Sequence, residues 1–273
     1  VSKSGRLFLR KRSIVFLFTL LIFLQAEEWL DLKGTHFIVF FKENREFAKE
    51  VLRKAEYYYR RIALDLGYER YSNFWLWDKR VKIFIYPNYS LFVNSTHQPA
   101  WSKGMADYQN KMIVSFYGSE RFLTTILPHE ITHLIFRDYV GFKSNIPLWI
   151  DEGIAQWEEE GKREFVRKIM KILLHKGKLI PLKELTETDI RSINDEEKVH
   201  LYYVEAVSLI DFIMKRFGAT KFIDFCRELR DGTPFLDALK VFYPQIDNPL
   251  GELQDEWIKY INESREGERW NSE

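Results

Sequence analysis

The stretch Leu127–Phe136, LPHEITHLIF, places two histidines four positions apart with a glutamate directly after the first. On a helix this spacing puts both rings on one face, one turn apart, where each can turn a ring nitrogen toward the same ion. A catalytic zinc normally takes three protein ligands and keeps one position for water, so a third donor must come from elsewhere in the chain. The motif therefore constrains the fold as well as the chemistry. Pro128 fits a helix here if it lies in the first turn, where its missing N–H has no intrahelical acceptor; Thr125 is then the expected N-cap.

The hydrophobic pattern changes character at Gly118. Before it, GTHFIVFF, RVKIFIYP and KMIVSFYG are rich in β-branched and aromatic residues and read as strands. Between the first two, Phe47, Val51, Leu52, Ala55, Tyr58, Tyr59 and Ile62 form a helical stripe that stops at Gly67. The segment 88–110 is dense in turn residues and is expected to be a loop with short structured pieces. After Gly118 the spacing is helical: through the histidine motif to Gly141, from Pro147 to Gly161, then Arg163–His175, Val199–Phe217, Lys221–Arg230 and Pro234–Tyr243. Strands first and helices later give an α+β fold, an N-terminal mixed sheet with a helix followed by a mostly helical C-terminal half. We expect one domain over 27–265, sheet-rich over 35–118 and helical over 119–265, with a polar tail at 266–273.

The third donor is expected in PLWIDEGIAQW, where 18 residues separate Glu152 from His133 and the turn-forming YVGFKSNIP lets two helices lie side by side. Asp151 competes, but adjacent helical residues point about 100° apart, so only one of the two can face the ion. Trp149, Glu152 and Gly153 match the W-x-x-E-G signature that follows HExxH at this distance in the gluzincin branch of zinc metallopeptidases, which the chain resembles. The likeness extends over roughly Thr35 to Tyr243 to the peptidase MA-like, zincin-like domains of bacterial secreted or membrane proteins. The resemblance implies one zinc ion held by His129, His133 and Glu152, with Glu130 as general base in peptide-bond hydrolysis. It also implies a tyrosine from the later helices donating to the oxyanion, and Tyr203 matches that place better than Tyr202. KMIVSFYG, around Ile113, Val114 and Ser115, is the expected edge strand, able to bind an extended peptide by strand addition. Gly104 and Met105 fall where aminopeptidase-type gluzincins carry Gly-x-Met-Glu-Asn, but no glutamate follows; endopeptidase action fits better than removal of free N-terminal residues. The second reading is a binding module of the cell envelope that keeps the fold with little or no hydrolysis.

A formal net charge of +1 gives no basic field of the kind nucleic-acid binding needs. One cysteine, Cys226, excludes an internal disulfide and reads as core. Lys3, Arg6, Arg10, Lys11 and Arg12 precede an apolar run, Ile14 to Leu24, the layout of a signal peptide or N-terminal membrane anchor over 1–26. The rest of the chain is then expected outside the cytoplasm, secreted, periplasmic or anchored to the outer face of the membrane. Glu158, Glu159 and Glu160 read as a solvated helix end; His36, His97, His175 and His200 lack ligand spacing; the aromatics around Tyr57 and Phe74 read as core.

Overall fold

The computed structural model describes residues 28–68, 75–98, 102–141 and 146–263. The expected signal or anchor segment at 1–26 and the tail at 266–273 lie outside the described residues. Among the described residues no helix is long and apolar enough to cross a membrane.

The sheet has five strands: β1 (Leu30–Lys33), β2 (Phe37–Phe41), β3 (Val81–Tyr86), β4 (Met105–Asp107) and β5 (Met112–Phe116), in the order β1-β2-β3-β5-β4. β2, β3 and β5 run parallel, and β1 and β4 flank them antiparallel. Alternation decides the faces. Phe37, Val39 and Phe41 with Val81, Ile83 and Ile85 point into the main core under helix α1 (Arg45–Asp65). The stripe that α1 buries runs Ala48, Val51, Ala55, Tyr58, Tyr59 and Ile62, the three-and-four spacing of one helical face. On the opposite face Val114 and Phe116 pack on Phe92 of the short helix α2 (Tyr89–Thr96), whose N-cap Asn88 accepts from the Leu91 N–H.

This topology corrects the expected edge strand. KMIVSFYG is β5, an interior strand with β3 on one side and β4 on the other, and Ile113, Val114 and Ser115 are all buried. The antiparallel edge on this side of the sheet is β4, formed because the Asp107 carboxylate accepts from both the backbone N–H and the side-chain amide of Asn110 and closes a tight hairpin into β5.

The helical half comprises α3 (Leu127–Val140), α4 (Leu148–Trp157), α5 (Lys162–His175), α6 (Leu182–Glu187), α7 (Glu196–Arg230), α8 (Phe235–Ala238) and α9 (Pro249–Glu263). Gly218 bends α7 with φ 78°, where the sequence places the break between two helices. Thr125 is not an N-cap: a π-helical turn, Phe122–Ile126, runs straight into α3, and Ile126, at the cap position, is itself helical. Pro128 still falls in the first turn of α3.

α4 and α7 touch at backbone distance. A Cβ added to Gly153 would lie 2.8 Å from the Ala206 carbonyl oxygen, so the glycine of W-x-x-E-G is what lets α7 reach the helix that carries Glu152. Gly153→Ala is expected to force the helices apart and cost about 1–3 kcal/mol, the range for overpacking a core. Urea denaturation measures it, and a midpoint equal to that of the wild type would show the contact to be soft.

Candidate metal centre

α3 and α4 bring His129, His133 and Glu152 together: one ligand atom from each lies within 4.8 Å of the others. The two Nε2 atoms face each other at 3.1 Å, and each is 3.8 Å from a Glu152 carboxylate oxygen. Donors bound at zinc distances in a tetrahedron stand roughly 3.3–3.6 Å apart, so these three need only small adjustments to share one ion. The donor set, two imidazole nitrogens and one carboxylate, is that of a catalytic zinc site, and the residues fit the metal.

The outward nitrogens of the rings are occupied. His133 Nδ1 lies 3.0 Å from Asp151 Oδ1, and Arg137 holds the other oxygen of that carboxylate. His129 Nδ1 lies 2.9 Å from Glu159 Oε1. With a carboxylate on each Nδ1, the favoured tautomer carries the proton there and leaves the Nε2 lone pairs for a cation. Asp151 therefore belongs behind the ring and Glu152 in front of it, which separates the two competitors. Burial alone would lower the His133 pKa and raise that of Asp151. Instead Asp151, followed by Glu152 and Glu130, carries His133 up to about 9, while His133 and Arg137 hold Asp151 below the usual carboxylate range. So many negative groups on one buried ring make a place that favours positive charge.

The reading of Glu158–Glu160 as a solvated end holds for Glu160, which is exposed, and is overturned for Glu158 and Glu159. Glu158 is fully buried and paired with Arg61 and Arg163, Glu159 is mostly buried on His129, and Glu160 meets Lys54 and the Tyr58 hydroxyl from α1. The helix stops at Trp157, so these three residues form a turn gripped by α1. A run of three acids gives no sign of this, because the α1 partners lie about a hundred positions away in sequence and His129 thirty.

Glu130 lies on α3 between the histidines, partly exposed, and its Oε2 accepts from the Tyr108 hydroxyl at 3.3 Å. Tyr108 follows β4 directly, in a segment so dense in turn residues that its sequence carries no signal of a site residue. Tyr203 is half-buried on α7, and burial and the Glu152 charge push its pKa up. Tyr202 is buried, and its hydroxyl finds no hydrogen-bond partner among the described residues. His36 pairs with Glu56 and stacks on Tyr59, while His97, His175 and His200 are exposed. Tyr58, Tyr59 and Trp75 are core, as expected, but Tyr57 and Trp77 are exposed, and Phe74 lies outside the described residues.

A mixed sheet with an antiparallel edge, above a helix bearing HExxH that is crossed by a helix bearing a glutamate, defines a gluzincin-like domain. Residues 76–263, more than half of the chain, match the peptidase MA superfamily, and the chain belongs to it. No curated protein matches the chain.

Proposed function

We propose that the protein is a zinc-dependent metallopeptidase, acting as an endopeptidase outside the cytoplasm. The observation that carries the reading is the trio His129, His133 and Glu152, with both Nε2 atoms turned to one point and a carboxylate behind each ring. When bound there, zinc supplies Lewis acidity and makes water nucleophilic near neutral pH. Glu130 accepts the proton of the attacking water and returns it to the leaving amine. Tyr203, half-exposed beside Glu152, donates to the scissile carbonyl oxygen as negative charge develops on it. An extended peptide adds to β4, the edge that replaces the strand expected from sequence, and is held through its backbone. Export rests on the basic and apolar pattern of residues 1–26 alone.

The test is metal content together with turnover. One zinc per chain is expected, with cleavage of internal bonds in peptides blocked at both ends, and chelation should abolish cleavage until zinc is restored. A chain that takes up no zinc when it is supplied would sink the mechanism. Cleavage confined to peptides with a free amino terminus would replace the endopeptidase reading with an exopeptidase one.

A further inference from the structure

A carboxylate serving as general base has to be held as well as present. The terminal torsion of a glutamate is broad, so a free carboxylate samples many orientations, and proton transfer needs one of its oxygens within hydrogen-bond reach of the water. Among the described residues, the Tyr108 hydroxyl is the one hydrogen-bond partner of the Glu130 carboxylate. Tyr108 is itself well placed. Its ring packs edge-on against His133, with centroids 5.6 Å apart. The residue before it, Asp107, anchors the hairpin turn through its two bonds from Asn110.

We propose that Tyr108 is the positioning residue of the general base: its hydroxyl holds Oε2 of Glu130 and leaves Oε1 to face the water. This rests on the peptidase reading. Tyr108 directly follows the edge strand on which a peptide would lie, so the segment that binds substrate and the group that holds the base are consecutive in the chain.

Tyr108→Phe keeps the ring on His133 and removes only the hydroxyl. In the zinc-loaded full chain it is expected to lower kcat about ten- to a hundredfold, the effect of losing one hydrogen bond to a charged group. KM, zinc affinity and melting temperature should stay at wild-type values. Titration with acetohydroxamate gives a reading independent of turnover, because the hydroxamate hands its proton to the base as it binds zinc. Its affinity should fall about tenfold in both Tyr108→Phe and Glu130→Gln. Unchanged kcat and unchanged hydroxamate affinity in Tyr108→Phe, with both reduced in Glu130→Gln, would overturn the role of Tyr108 and leave the peptidase reading standing. A wild type that cleaves no peptide would overturn that reading, and the hydroxamate comparison would still report whether Tyr108 holds Glu130.

Discussion

Glu130→Gln is expected to bind one zinc per chain as the wild type does and to cleave peptides on the order of a thousandfold more slowly. The substitution is isosteric and leaves His129, His133 and Glu152, the three groups that converge, untouched. What it removes is the negative charge of the carboxylate and, with it, the ability to take a proton from the water. The envelope binding module predicts no effect, because a structural metal needs ligands but no base. Such a site would also normally close with four protein ligands, and the cluster found among the described residues has three. Zinc stoichiometry measured beside turnover on the same preparation separates the cases. Equal turnover in the two proteins would mean that Glu130 is not the base.

Glu205→Gln is expected to stabilise the protein, by up to about 4 kcal/mol at pH 8, and to change nothing near pH 4. Glu205 lies on α7 with no exposed surface; one oxygen accepts from the Ile180 N–H at 2.9 Å and the other has no partner among the described residues. Burial, against that single hydrogen bond, pushes its pKa up to about 8. In the unfolded chain the group ionises near 4.5, so between the two values the folded state holds a proton that the unfolded state has released. Stability attributable to Glu205 is therefore fully present below pH 4.5 and drains away as pH rises toward 8. An amide at this position cannot ionise and should remove this slope. At roughly 2–4 °C per kcal/mol for a chain of this size, the gain is about 10 °C in melting temperature at pH 8. Parallel melting curves for variant and wild type from pH 4 to 8 would show that Glu205 ionises in place with the help of water.

The histidine helix, the glutamate helix and the order of strands and helices were legible because each is a local pattern: i and i+4 on α3, the glycine that follows Glu152, and alternation along β2 and β3. What was not legible depends on partners distant in sequence or on elements too short to carry a period. β4 has three residues and no β-branched or aromatic side chain, so its pairing with β5 is written only in the Asp107–Asn110 turn. β1 and α9 also went unread, although α9 buries Leu253, Trp257 and Ile261 at helical spacing. Asp151 and Glu159 could be recognised as carboxylates, but which ring each faces is decided by how α3, α4 and the turn after Trp157 cross. The N-cap assigned to Thr125 failed because helical structure begins earlier, at Phe122, with wider π-type hydrogen bonding.

The turn Glu158–Glu160 joins the two halves of the chain at a sensitive point. Its outer carboxylates are gripped by Lys54, Tyr58 and Arg61 of α1, and the one between them steadies His129. From the helical half the same turn is held by Arg163 on Glu158 and by the Thr124 carbonyl, which accepts from the Glu160 N–H. The carboxylate behind the His129 ring is thus set by a turn that both halves of the chain clamp, so a substitution in α1, far from the histidines in sequence, reaches the candidate metal centre through one turn.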